Sequence, residues 1–156
     1  MSVEFTDNTA KISAALSEGI VAFLHEVGST TLKHVHRNSR VDTGNTKGSY
    51  DYVVDEGENE STVIIGSPIE NAIWEEFGTG EYALHGDGRK GGWYIPEEKL
   101  NAKAKSKMKK VIGKNGKVYY YTRGKKPNQP LTKAFQSVAP KIKKQLVNVI
   151  KQNLGG

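Results

Sequence analysis

The stretch Tyr50–Phe77, YDYVVDEGENESTVIIGSPIENAIWEEF, decides the fold. Tyr50, Tyr52 and Val54 alternate with Ser49, Asp51 and Val53, and Thr62-Val63-Ile64-Ile65 follows. Between them lies Asp55-Glu56-Gly57-Glu58-Asn59-Glu60, an acidic loop with one glycine. Two runs of β-branched and aromatic residues around such a loop predict an antiparallel hairpin. Pro68 then opens a short helix carrying Ile69, Ala72, Ile73, Trp74 and Phe77, with Gly78 as its C-terminal stop. A hairpin running into a helix points to an α+β chain.

Upstream, Ile12, Leu16, Ile20, Phe23, Val27 and Val35 recur at helical steps and predict one long helix from about Asn8 to about Arg37. Thr6 or Asp7 can cap its start. At 1.5 Å per residue it would run roughly 45 Å, long for a domain of this size. Gly19 and Gly28 mark places where it can bend or admit another backbone. A helix that outruns its own domain packs on something else, which makes it an assembly element. Val41-Asp42-Thr43-Gly44 is turn chemistry between this helix and the hairpin.

Downstream, Thr79–Pro127 reads as loop with two islands, Trp93-Tyr94-Ile95 and Val118-Tyr119-Tyr120-Tyr121-Thr122, expected to be the two strands of a second hairpin. The connection between them holds Lys99, Lys103, Lys105, Lys107, Lys109 and Lys110, and ends in the tight-turn signal Asn115-Gly116. Asn101–Lys110 has little apolar content and is expected to be mobile in the isolated subunit. A last helix is expected from about Leu131 to Asn153, with Leu131, Phe135, Val138, Ile142, Leu146 and Val149 in one stripe. Pro140 lies inside it and predicts a kink or break near Ala139. The expected architecture is therefore α+β: a long N-terminal helix and a C-terminal helix packed on a small antiparallel sheet, with an extended basic β-hairpin. One domain should span 1–156, with 89–126 as a basic, partly mobile insertion.

The 156 residues include no cysteine, which excludes disulfides, thiolate metal sites and a cysteine nucleophile. Hydrophobic content is 36% and mean hydropathy −0.58, which leaves room for partner-dependent segments. The start of the chain has no secretory pattern, and no apolar run approaches the ~20 residues of a membrane span. Net charge is +6, but between Arg89 and Lys126 there are 13 Lys and Arg against 2 acids. The remaining 10 bases and 15 acids leave an acidic body behind a strongly basic segment.

Enzyme constellations fail on spacing. His34 and His36 stand at i, i+2 and point to different sides of a helix, so with His85 and Asp87 they make a poor metal set. Glu75 and Glu76 are adjacent on a short helix and so diverge; Glu76 can face inward, but no partner acid is evident and the pair reads as capping acids. Gly86-Asp87-Gly88 and Gly91-Gly92 lack the strand–loop–helix context of a phosphate loop, and no serine sits in a nucleophile elbow. No catalytic residue, metal or cofactor is expected. The stronger signal is Trp93, Tyr94, Tyr119, Tyr120 and Tyr121 among Lys107, Lys109 and Lys110, a candidate partner-docking surface. The alternative is a nucleic-acid-binding module, since basic grooves with stacking rings bind single strands.

Three blocks in order resemble a family of small neck and tail-completion, or head–tail joining, proteins of long-tailed bacteriophages and prophages. Val41-Asp42-Thr43-Gly44-Asn45-Thr46-Lys47-Gly48-Ser49 is similar to that family's D-T-G-x-L-x-x-S turn, although Thr46 stands where leucine is usual. Ile73-Trp74-Glu75-Glu76-Phe77-Gly78-Thr79-Gly80 resembles its E-F-G-T helix end. Lys126-Pro127-Asn128-Gln129-Pro130-Leu131-Thr132-Lys133-Ala134-Phe135 resembles its P-x-x-P-F-L-x-x-A entry to the last helix, without the phenylalanine after Pro130. The resemblance implies structural roles for Asp42, Thr43, Gly44, Ser49, Glu76, Phe77, Gly78, Pro127, Pro130 and Leu131. It also implies a non-enzymatic subunit of the virion neck or tail end, assembled in the bacterial cytoplasm. Its partners would be its own copies in a sixfold ring, the tail tube or terminator, and the head connector, with DNA contact in the channel and no membrane.

Overall fold

A computed structural model describes residues 8–41, 44–57 and 60–154. Thr6, Asp7, Asp42 and Thr43, named above as cap and turn residues, lie outside that set. The fold is α+β, organised as two compact units: Met1–Ile69 with Pro130–Gly156, and Glu70–Gln129.

The first, helical unit is built on α1, Thr9–Asn38, an unbroken helix close to the predicted span. Phe23, Val27, Thr31 and Val35 are buried, Leu16 and Ile20 are partly covered, and Ile12 is exposed. A short α2, Asn45–Gly48, follows Gly44, whose φ of 84° suits glycine. Then β1, Asp51–Glu56, and β2, Ser61–Gly66, form the expected antiparallel hairpin with Val53 opposite Ile64 and Tyr52 opposite Ile65. Tyr52, Val54, Val63 and Ile65 are the more covered set, while Val53 and Ile64 stay exposed on the other face. Gly28 makes room for the hairpin. A Cβ there would stand 2.3 Å from the Tyr52 ring.

The last helix, α5, runs Pro130–Asn153 and is continuous through Pro140. The expected break does not occur, because flanking turns hold the helix despite the missing N–H. Removing that defect in Pro140→Ala is expected to raise the melting temperature by a few degrees, read by circular dichroism. The stripe was expected to lie against the first sheet, beside the first helix; it is the first helix that it meets, with α5 packing along α1 and the hairpin packing on α1 as well. Gly19 faces Asn153, while Val27 and Thr31 share a groove with Leu131 and Phe135, so the two helices run antiparallel. The centre of the contact is Ala134 and Val138, both buried. Phe135, expected in the core, is 62% exposed. The apolar arc of α5 is wider than α1 can cover, and the large ring falls outside the seam.

The second, sheet unit begins with α3, Glu70–Phe77, ended by Gly78 at φ 75° as expected. It continues with β3, Trp93–Pro96, a single turn α4, Ala102–Lys105, then β4, Lys109–Ile112, and β5, Val118–Thr122. The second sheet has three strands in the order β3-β5-β4, all antiparallel. The two aromatic islands pair as predicted, but the hairpin proper is β4–β5, and β4 is a strand lying within the expected connection. Its turn is the predicted one: Gly116 N–H donates to Gly113 O at 2.9 Å, and Gly116 sits at φ 74°. The lysine-rich run before β4 carries regular structure too, since the Asn101 side chain accepts from Ala104 N–H at 2.8 Å and Lys105 meets Glu97 at 3.5 Å.

Candidate functional site

The second sequence block and the start of the third, with the residues flanking them, meet in the sheet unit. Thr79 N–H donates to Lys125 O at 2.9 Å, Lys125 N–H donates to Thr79 Oγ1 at 2.9 Å, and Glu81 N–H donates to Arg123 O at 2.9 Å. Asn128 and Gln129 N–H groups both reach Glu75 O, at 2.8 and 3.2 Å. This approach needs glycine. A Cβ on Gly78 would lie 2.8 Å from Lys125 O, and one on Gly124 would lie 2.0 Å from Thr79 O. Pro127 touches the same Gly78 position, so Gly78 and Pro127 form one close contact. Phe77 lies against His85 with centroids 5.0 Å apart and the rings tilted at 49°.

Glu76 faces inward, and Glu75, expected to diverge from it as a capping acid, is buried as well. Glu75 is ion-paired with Lys125 of the facing strap. The signal that would have found this is the pairing of the two blocks themselves, an acid in one and a lysine beside the other. In the helical unit, Ser49 Oγ bonds Ser67 Oγ at 2.7 Å, and Ser67 Oγ accepts from Ile69 N–H at 3.3 Å. That closes the segment following Gly44 onto the end of the first hairpin. Pro130 is fully buried at the start of α5, and Leu131 is half-buried.

The aromatic and basic residues divide between the two faces of the three-stranded sheet. Tyr94 lies opposite Tyr121, which lies opposite Lys109; Tyr119 lies opposite Val111 and Pro96. These share the outward face. On the other face Ile95, Tyr120 and Lys110 are aligned, with Trp93 opposite Thr122. Trp93 covers Gly80, where a Cβ would stand 2.8 Å from its ring. Tyr120 is only 8% exposed and is part of the packing of this unit, so it leaves the docking set. Lys107, Lys109 and Lys110 are exposed.

Outward, Tyr94 is 59% exposed and tilts against Tyr121 with centroids 5.3 Å apart. The Tyr121 hydroxyl donates to Gly91 O at 3.0 Å. Its bond with Arg123, together with the Glu81 carboxylate 3.8 Å from Arg123 Nε, pushes the guanidinium pKa further up, so Arg123 is cationic throughout the working pH range. Arg89 lies over the Trp93 ring, 5.7 Å from its centroid. A groove of about 500 Å³ lies here, with Arg89 and Lys109 in its lining.

Elsewhere, Arg37 Nη2 donates to His34 Nδ1 at 2.8 Å. Among the described residues no three side chains gather as a metal-ligand set, and no helix is long and apolar enough to cross a membrane. No protein-family model matches the chain, and neither a curated protein nor a solved structure does.

Proposed function

We propose that this chain is a structural subunit of a bacteriophage head–tail junction, which associates with its own copies into a ring and catalyses nothing. The observation that carries the reading is an uncovered apolar groove of about 660 Å³ in the helical unit, walled by α1, β2 and α5 and lined by Val27, Val63, Ile65, Leu131, Phe135 and Ile142. A different patch of the same unit, the exposed Val53–Ile64 pair on the hairpin, is apolar and projecting. A concave apolar patch and a separate projecting one suit head-to-tail association of identical subunits, which closes into rings. The occupant of the groove is thus a second copy. The sixfold order and the phage setting follow from the resemblance. What supports them is that the second block and the start of the third meet in the sheet unit, where Asn128 and Gln129 N–H groups reach Glu75 O.

Light scattering over a concentration series tests the self-association. The wild type is expected to form a ring-sized species, and Phe135→Asp to remain a folded monomer, because the ring is already mostly exposed and its loss costs the fold little. In a phage lacking the gene, the variant should leave separate heads and tails, visible by electron microscopy. A wild type that stays monomeric at every concentration, alone and with tails, would overturn the reading.

A further inference from the structure

We propose that the outward face of the three-stranded sheet binds single-stranded nucleic acid, with a base stacked on Tyr94 and the phosphodiester chain along Lys109 and Arg89. This does not rest on the assembly reading above. The first observation is charge. The unit Glu70–Gln129 has 13 basic and 7 acidic residues, net +6, while the rest of the chain has 10 of each, so the whole excess sits in the sheet unit. No acidic residue follows Glu98 in the sequence. Lys107, Lys109, Lys110, Lys114 and Lys117 accordingly have no carboxylate within ion-pair distance among the described residues. A cluster of unneutralised cations lowers its own energy by taking a polyanion and releasing that polyanion's counterions.

The second observation is the ring beside the cations. Tyr94 is backed on one side by Tyr121, which its bonds to Gly91 O and Arg123 hold in place, and is otherwise open. Gly92 lies against the Tyr121 hydroxyl, where a Cβ would come within 2.5 Å, so the Gly91-Gly92 strap closes over that ring and leaves Tyr94 as the free platform. The adjoining groove, about 500 Å³, is lined by Arg89, Gly91, Gly92, Trp93, Lys109 and Val111 beside the two tyrosines, with no carboxylate. That volume falls in the ~300–1,000 Å³ range of small-ligand sites and admits a nucleotide. An acidic protein surface would satisfy the lysines but has no planar group to cover the ring. A base has both the plane and the attached phosphate, and the bases of a duplex are not free to stack.

The test is fluorescence anisotropy of a labelled oligothymidylate of ~15 nucleotides with the full chain, from ~50 to ~200 mM salt. Binding at low salt that falls steeply as salt rises is expected. Tyr94→Ala should weaken it about five-fold or more and leave the salt slope unchanged, because stacking releases no counterions. Lys109→Glu should weaken it and flatten the slope. Both side chains are exposed, so thermal melts should match the wild type. A duplex of equal length should bind more weakly and ignore Tyr94→Ala. Three results would overturn the proposal: no binding at low salt, duplex binding as tight as the single strand, or polyglutamate binding as tightly as the oligonucleotide with no effect of Tyr94→Ala. The last would make an acidic protein the partner.

Discussion

Val138→Asp is expected to unfold the helical unit at room temperature. Val138 is 5% exposed and lies with Ala134 on the face of α5 turned to α1, where Val27 and Val35 are also buried. A carboxylate in that seam is largely stripped of water, although Lys141 lines the small pocket beside Val138 together with Glu26 and His34. An uncompensated buried charge costs about 3–5 kcal/mol, a large share of the 5–15 kcal/mol that holds an ordinary domain together. The same substitution along the stripe gives a graded series. Ile142→Asp, half-buried at the groove, should cost less, and Phe135→Asp should barely move the midpoint. Urea unfolding followed by helical circular dichroism reads the series. A Val138→Asp protein with the wild-type midpoint would mean that α5 does not pack on α1 through this face.

Gly124→Ala is expected to disrupt the sheet unit almost as severely. Gly124 sits at φ 119°, a conformation that strains any side chain, and its added Cβ would meet Thr79 O at 2.0 Å and Gly80 Cα at 2.9 Å. Both obstacles are backbone, so neither can swing aside. Strain alone costs about 1–3 kcal/mol, and the clash adds to it by forcing the two straps apart. Amide exchange should show loss of protection at Thr79, Glu81 and Lys125, whose N–H groups join the straps. Gly116→Ala is the control. Its φ is 74° with nothing within 4 Å of the added carbon, so only the local strain should appear. Equal effects from both substitutions would mean that the close approach of the two straps contributes nothing.

Much of the fold was legible because its signals are local. The helical period fixed α1 and α5, the alternation fixed β1 and β2, and Gly78 and Asn115-Gly116 marked a helix end and a turn. β4 was not legible in Lys109-Lys110-Val111-Ile112, because an edge strand with only Val111 partly covered shows no clear alternation. The apolar pairs flanking Asn115-Gly116, Val111-Ile112 before and Val118-Tyr119 after, were the usable clue. Nor could spacing say which part of the α5 stripe would be covered. Six apolar residues share an arc, but the tight seam takes the small Ala134 and leaves the Phe135 ring outside. The aromatic cluster was found in sequence as a group, yet strand alternation sends Tyr120 inward and Tyr119 and Tyr121 outward. The ion pair that takes Glu75 inward depends on a strap some fifty residues away and left no trace in the helix itself.

The helical unit is assembled from two separated stretches, Met1–Ile69 and Pro130–Gly156, while the sheet unit is one uninterrupted run, Glu70–Gln129. That arrangement sets an order of events during synthesis. The sheet unit holds all of its own residues in one run, so once Gln129 is clear of the ribosome its strands can pair without α5. α1 has the hairpin against it by then but must wait for Ala134 and Val138 to cover the rest of its apolar side. In the interval a nascent chain displays a long helix with a bare apolar side, a natural target for a chaperone or for premature pairing with a neighbouring chain on the same message. Early folding of the intervening run would also shorten the effective loop that α5 must close to find α1, and so speed the last step.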